Sequence, residues 1–312
     1  MKIAVVGLGR FGNTHLRTID SLDCCELAAV CDINKEIAIQ YAEKYGVPYY
    51  TDYKVMADMC DADAVIINLP HFLHCEATVF FLEHGFHVFV EKPMARNVEE
   101  YRIMNEAQHR TGKILAVGHP QRFFHANREV RRIVETGEYG KLLMISEFRS
   151  SDYFEPGRPR WFLTKELSGG GIMMNLGAHA FDKLMYITGS KPTEIVSAVD
   201  NCLDGYDVEG HVQSFIRFEN GVSATVTFNS YYSVGYESLF HFEKGALKVI
   251  NSSALYRYEN REWVRVELPA SPDFMQMEVA EFVKLVKGEP SEMPLGDLGE
   301  DVIDAIERVY NG

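Results

Sequence analysis

Residues 7–12 read GLGRFG, and this hexapeptide constrains the fold more than any other stretch of the chain. The run KIAVV at 2–6 leads into it, apolar from Ile3 onward, as a strand buried on both faces requires. A helix pattern follows from Asn13 to Ser21. A second apolar run, ELAAVC at 26–31, then ends in Asp32, 20 residues beyond Gly12. A lone GxGxxG says little. Set between a strand and a helix, with an acid at that distance, it is the fingerprint of a dinucleotide-binding βαβ unit. Gly7 permits the tight turn, Gly9 lets the backbone approach a pyrophosphate, and Gly12 allows helix and strand to pack closely. Leu8, Arg10 and Phe11 complete the loop and the helix start, whose amides and positive potential suit a phosphate. Asp32 can accept from ribose hydroxyls and would repel a 2′-phosphate, which favours NAD; Lys35 nearby keeps NADP open.

The alternation continues. Asn34 can cap a helix running to Tyr45, and 51–59 reads as a short helix. DAVIINLP (63–70) is a strand stopped by Pro70, and FLHCEATVFFLEHG (72–85) a helix stopped by Gly85. HVFVEKP (87–93) is a strand, Asn97 with Glu100 starts another helix, and KILAVG (113–118) is a further strand. Strand and helix in alternation imply a doubly wound parallel sheet, the Rossmann arrangement, whose ligands lie beyond the carboxyl ends of the strands. Asn68, Leu69, Pro70, His71, His74, Glu91, Lys92 and Pro93 fall at or just past such ends. His71 and His74 form an HxxH pair with no third ligand nearby, a poor zinc site, and no metal is expected.

From about Gln121 the pattern changes. One helix (125–136) is followed by strand-like segments at LLMISEFR, EIVSAVDN, VQSFIRF, VSATVTF, YESLFHFE, ALKVI, ALYRY and EWVRVEL. Glu219-Asn220-Gly221 reads as a hairpin turn. An α+β domain with a large, mostly antiparallel open sheet is expected, so the chain divides into a dinucleotide-binding domain (1–120) and a second domain (121–312) for substrate binding and oligomerisation. The C-terminal helix is expected to pack back on the first domain.

Length and composition agree. The 312 residues suit two domains, and 46% hydrophobic with 24% charged residues is a globular profile. A formal charge of −14 without a basic stripe excludes nucleic acid and anionic lipid as partners. No apolar run reaches the ~20 residues of a membrane helix. MKIAVVGLGR lacks a cleavage signature, and the six cysteines contain no CxxC pair, so a cytoplasmic protein with reduced thiols is expected.

Three further features complete a pattern. Glu91-Lys92-Pro93 ends a strand; GHPQRF (118–123) and RPRWFLTKELSGGG (158–171) follow; then comes GGGIMMNLGAHAFD. Together with the glycine loop and the segment 273–310, they resemble the Gfo/Idh/MocA family over nearly the whole chain. That family includes glucose–fructose oxidoreductase, inositol dehydrogenase and many sugar and cyclitol dehydrogenases. The resemblance implies that Lys92 positions and polarises a substrate hydroxyl, and that Pro70 and His74 lie against the nicotinamide end of the cofactor. It implies catalytic roles for His179, as base, and Asn175. It implies substrate contacts for Arg122, Tyr153, Arg158, Arg160 and Trp161, and a homodimer or homotetramer paired through open sheet faces.

One departure stands out. The family pattern is DxGxHxxD; this chain has Asn175-Leu176-Gly177-Ala178-His179 and then Asp182. Asn175 cannot titrate, so an acid–His relay is not available, although an imidazole alone can serve as base near neutral pH. If the run from Ile172 is helical, Asn175, His179 and Asp182 share a face. The expected activity is hydride transfer between a secondary alcohol of a sugar, sugar derivative or cyclitol and NAD(P). The alternatives are a sugar-converting enzyme with tightly bound NAD and no net redox, and a non-catalytic dinucleotide sensor.

Overall fold

The computed structural model describes residues 1–201, 203–270, 273–293 and 299–312. Cys202 and residues 294–298 of the C-terminal segment quoted above lie outside the described residues.

The chain divides into two compact units, Met1–His119 with Pro272–Glu300 and Pro120–Ser271 with Asp301–Gly312. The first is built from β1 (Lys2–Val6), α1 (Arg10–Asp20), β2 (Glu26–Cys31), α2 (Lys35–Tyr45), β3 (Tyr49–Tyr50), α3 (Tyr53–Met59), β4 (Ala64–Ile67), α4 (His71–Glu83), β5 (His87–Val90), α5 (Val98–Thr111) and β6 (Leu115–Val117). The six strands run parallel in the order β3-β2-β1-β4-β5-β6. The order reverses between β1 and β4, which makes that point the ligand-binding crevice of a doubly wound sheet. β4 is buried at every position and β1 from Ile3 onward, the expected result of helices on both faces. Asn34, Asp52 and Asn97 cap α2, α3 and α5 by accepting from backbone amides one or two residues into each helix. The short β3 is too brief to show a period in the sequence.

The second unit begins with α6 (His125–Thr136) and β7 (Leu142–Ser150). After α7 (Lys165–Ser168) and α8 (Ala178–Thr188) come β8 (Pro192–Asp200), β9 (His211–Phe218), β10 (Ser223–Asn229), β11 (Tyr236–Phe242), β12 (Gly245–Ile250), β13 (Ala254–Glu259) and β14 (Glu262–Val266). These eight strands form one sheet in the order β14-β13-β12-β11-β7-β10-β9-β8. Every neighbouring pair is antiparallel except β7 with β10. Along β9, Val212, Ser214, Ile216 and Phe218 point inward while Gln213, Phe215 and Arg217 stay exposed, so one face packs and the other is open. The packed face and the helices α6, α8 and α10 (Gly299–Asn311) share one core, with Ile145, Phe181, Phe228, Phe240 and Ile306 at its centre.

The two C-terminal helices part company. α9 (Phe274–Val286) packs in the first unit, where Phe282 meets Phe89 with ring centroids 5.6 Å apart and Gln276 donates to the Ser21 hydroxyl at 2.8 Å. From Asp301 the last helix, α10, belongs to the second unit. The element that returns to the first unit is therefore α9 rather than the final helix.

Candidate functional site

In the first unit the glycine loop is fixed by close approach. Gly7 has φ +83°, and a Cβ there would lie 2.6 Å from the Asn68 carbonyl oxygen. A Cβ on Gly12 would lie 2.0 Å from the Gly7 carbonyl oxygen, so α1 can start where it does only with glycine. Gly9 differs: a Cβ there meets nothing within 4 Å. Arg10 and Phe11 are exposed beside it. Asp32, half-buried at the end of β2, accepts from Leu8 N at 2.7 Å and from Asn34 N at 2.8 Å. Its carboxylate thus braces the loop.

The residues beyond β4 and β5 meet. Both polar atoms of the Asn68 side chain are buried without a hydrogen-bond partner, and Nδ2 would be 3.8 Å from a Cβ on Gly12. An open loop at a helix N-terminus, next to an amide with unmet hydrogen bonds, fits a bound dinucleotide. Leu69 and Pro70 are half-buried, and His71 is buried. His74 is 1% exposed, and its ring lies 2.9 Å from the Pro93 carbonyl oxygen and 2.7 Å from that of Leu69. Burial holds its pKa below the usual imidazole value despite those two contacts. His74 is thus a brace between the β4 and β5 ends. Glu91 is buried against His15, whose Nε2 lies 2.8 Å from Oε1; Oε2 accepts from Lys92 N at 3.3 Å. Burial would raise the Glu91 pKa, but the His15 hydrogen bond and the Lys92 charge outweigh it and hold the carboxyl below its usual value. Lys92 is half-buried. His15 carries only a faint sequence signal, the spacing Gly12-x-x-His15, one turn along the same helix face.

In the second unit the three glycines close α7 and pass under a carboxylate. Gly171 N and Met173 N each donate to Glu209 at 2.7 Å, and the Tyr310 hydroxyl donates to the same carboxylate at 2.8 Å. A Cβ on Gly170 would lie 1.9 Å from the Tyr310 hydroxyl oxygen, and one on Gly171 would lie 2.4 Å from the Glu209 carbonyl oxygen. Glu209 carries no local sequence signal, standing alone in a loop 38 residues away. Met173–Gly177 then form a π-turn rather than α-helix, with Asn175 half-buried inside it. His179 is half-buried in the first turn of α8. Asp182 follows on the same helix. It is 0% exposed, and its Oδ1 accepts from Arg122 Nε and Nη2 at 2.8 and 2.6 Å.

The face expected of Asn175, His179 and Asp182 presumed α-helix throughout, whereas Met173–Gly177 is π-helical and Asp182 is paired with Arg122. The Arg122 guanidinium is engaged by Asp182. Tyr153 is 0% exposed with its hydroxyl donating to the Phe162 carbonyl at 2.9 Å, so it supports the 158–171 segment. Arg158 stacks over the Tyr153 ring at 4.7 Å and donates to Glu155 at 2.9 Å. Arg160 is exposed, and half-buried Trp161 stacks on Phe162 at 3.8 Å.

Comparison with known proteins follows the same division. The family model described as an oxidoreductase family with an NAD-binding Rossmann fold matches residues 1–119, and that of the GFO/IDH/MocA C-terminal domain matches residues 127–248. The chain is 29% identical over 232 residues to 1-carboxy-3-chloro-3,4-dihydroxycyclo hexa-1,5-diene dehydrogenase of Comamonas testosteroni, covering 74% of this chain and 58% of that protein. It is 32% identical over 202 residues to D-glucoside 3-dehydrogenase of Escherichia coli K12, covering 64% of this chain and 57% of that protein. The chain therefore spans less than two thirds of the length of both relatives. The crystal structure of aldose-aldose oxidoreductase from Caulobacter crescentus, complexed with glycerol, superposes with a TM-score of 0.91 at 22% identity, covering 100% of this chain and 96% of that one. At that identity the likeness speaks for the fold. With both segments matched, and with the glycine loop, the acidic β2 end and the Glu91-Lys92-Pro93 corner all inside the first, the chain belongs to the GFO/IDH/MocA family of NAD-binding oxidoreductases.

Proposed function

We propose that this protein is a dehydrogenase that oxidises a secondary alcohol of a sugar, sugar derivative or cyclitol, with NAD preferred over NADP. The observation that carries the reading is the glycine loop braced by Asp32: its space is open at Gly9, its amide neighbour Asn68 has unmet hydrogen bonds, and its carboxylate stands where a 2′-phosphate would be repelled. The dihydroxy ring and the glucoside named for the two relatives support a polyol substrate.

When bound, NAD supplies the hydride acceptor. The protein's part is acid–base chemistry and orientation. The Lys92 ammonium donates to the reacting hydroxyl oxygen and stabilises negative charge as it grows there. His179 takes the hydroxyl proton. Asn175 offers a donor and an acceptor to a neighbouring hydroxyl without titrating. Arg160 and Trp161, at the surface of the second unit, offer a cation and an aromatic face to the rest of the ring. The open face of the second sheet supports a homo-oligomer, and the free thiols at Cys24, Cys25, Cys31, Cys60 and Cys75 support a reducing cytoplasm. Among the described residues, no helix is long and apolar enough to cross a membrane.

The test is NADH formation at 340 nm across inositols, aldoses and glucosides, with NADP in parallel. Turnover with NAD, lost in Lys92→Ala and His179→Ala, is expected. Full kcat/KM in either variant would remove its assigned role. Tightly retained NAD with sugar conversion and no NADH release would favour the closed-cycle alternative.

A further inference from the structure

Glu209 and Tyr310 lie far apart in sequence and touch no residue assigned above to chemistry. Glu209 is 7% exposed, yet it is one of the most heavily bonded carboxylates among the described residues: Gly171 N, Met173 N and the Tyr310 hydroxyl all donate to it. These three donors come from the glycine turn, the start of the π-turn and the last turn of α10. The same strip of chain also holds the far side of the turn, since Asp207 accepts from Lys165 N at 2.9 Å. Ser168 closes the turn internally, donating to the Gly170 carbonyl at 2.7 Å. α10 is itself docked. Arg308 donates to the Pro192 and Thr193 carbonyls at 3.0 and 2.8 Å, and Asp301 pairs with Lys191 at 2.8 Å. Burial, then the Glu209 charge, push the Tyr310 phenol well above its usual pKa, so it remains a donor at every working pH.

A π-turn is an uncommon backbone form that needs outside support. Here the support is identifiable. Glu209 takes the amides at its entry, and Gly177 lies where a Cβ would be 2.2 Å from Met173 Sδ, so the turn is closed on itself at its exit. Asn175 sits inside it and His179 immediately after it.

We infer that Glu209 and Tyr310 are positioning residues for the reaction: the C-terminal helix, through the Tyr310 hydroxyl and the Glu209 carboxylate, sets the π-turn and thereby the placement of Asn175 and His179. This rests on the reading of His179 as base. A misplacement of about 1 Å in a catalytic group can lower turnover ~100-fold.

The experiment uses the full chain with Tyr310→Phe, which keeps the ring, and Glu209→Gln, which keeps the shape. Three readouts are taken: kcat and KM for the active polyol, NAD affinity by protein fluorescence, and hydrogen–deuterium exchange of the 169–179 backbone. The expected result is kcat lowered about tenfold in Glu209→Gln and less in Tyr310→Phe, NAD affinity unchanged, and faster exchange confined to 169–179. Wild-type exchange in that segment in both variants overturns the inference, and so does unchanged kcat where His179→Ala has lost activity. Should His179→Ala keep full activity, the reading of His179 fails, while the exchange data still decide whether Glu209 and Tyr310 hold the turn.

Discussion

His15 and Glu91 meet at 2.8 Å inside the first unit, the imidazole fully buried and the carboxylate nearly so. The pair joins α1, the helix opened by the glycine loop, to the residue that precedes Lys92. The glycine loop lies at the N-terminal end of α1, while His15 of the same helix holds the strand end that precedes Lys92. On the proposed reading, dinucleotide binding and lysine placement share this one buried contact.

Glu91→Gln tests it. The native Glu91 carboxyl lies below its usual pKa, so the unfolded chain binds the proton more readily. The pair's contribution is fully present above the ordinary carboxylate pKa of about 4.3 and is lost as pH falls through the lower native value. The variant is expected to lose ~1–3 kcal/mol at pH 7, the worth of a charged hydrogen bond, and to show a flatter decline in acid. Urea midpoints at pH 7 and pH 4 check this. A wild-type acid slope in Glu91→Gln would assign the acid sensitivity to other carboxylates.

Gly9 and Gly12 separate two meanings of one motif. A Cβ on Gly12 would collide with the Gly7 carbonyl, whereas one on Gly9 enters open space. Gly12→Ala is expected to lose ~1–3 kcal/mol of stability and its NAD binding together. Gly9→Ala is expected to keep its stability within about 1 kcal/mol while NAD affinity falls at least ~10-fold, because the methyl occupies the approach to the loop. Thermal unfolding and fluorescence titration, run side by side, distinguish them.

These contrasts show where the sequence is legible. The glycine loop, its flanking strand and Asp32 are read directly because each answers a local backbone demand. The eight strands of the second sheet are read because period-two burial is strong in segments such as 212–218. The π-turn at Met173–Gly177 escapes, since its apolar run is equally compatible with α-helix and its form depends on Glu209. Asp182 escapes for a related reason: the partner that draws it inward, Arg122, is 60 residues away. Sequence patterns report what each segment requires locally, and these two features are decided by partners distant in the chain.

Buried charge in the second unit gives a further prediction. Glu147 and Arg149 share the inward face of β7, and Lys183 of α8 donates to both Glu147 oxygens at 2.7 and 2.6 Å. Arg149 donates to the same carboxylate at 2.7 Å, and its Nη2 has no partner. Two cations share one buried anion. Burial and the neighbouring Arg149 push Lys183 down to about 8, while both cations hold Glu147 low. Glu147→Gln leaves two buried cations unpaired and is expected to cost ~3–5 kcal/mol. Lys183→Met leaves a one-to-one pair and is expected to cost far less. The sign for Lys183 follows from its depressed native pKa. Its penalty is fully present below about pH 8 and is relieved as pH rises toward the unfolded value of about 10.4, so wild-type stability should rise over that window and Lys183→Met should not. Urea midpoints at pH 7 and 9.5 measure it.

Asn175→Asp restores the acid of the family pattern and asks what its absence does. In the wild type the rising limb of kcat/KM with pH is expected to report His179 alone, since Asn175 carries no charge. An aspartate one turn earlier would favour the imidazolium, so the limb should move upward by about one pH unit. NAD affinity should not change, because the glycine loop is untouched. If the limb stays in place, Asn175 does not act on the base, and its role is confined to holding a substrate hydroxyl. A raised polyol KM with an unchanged profile would then be the expected signature.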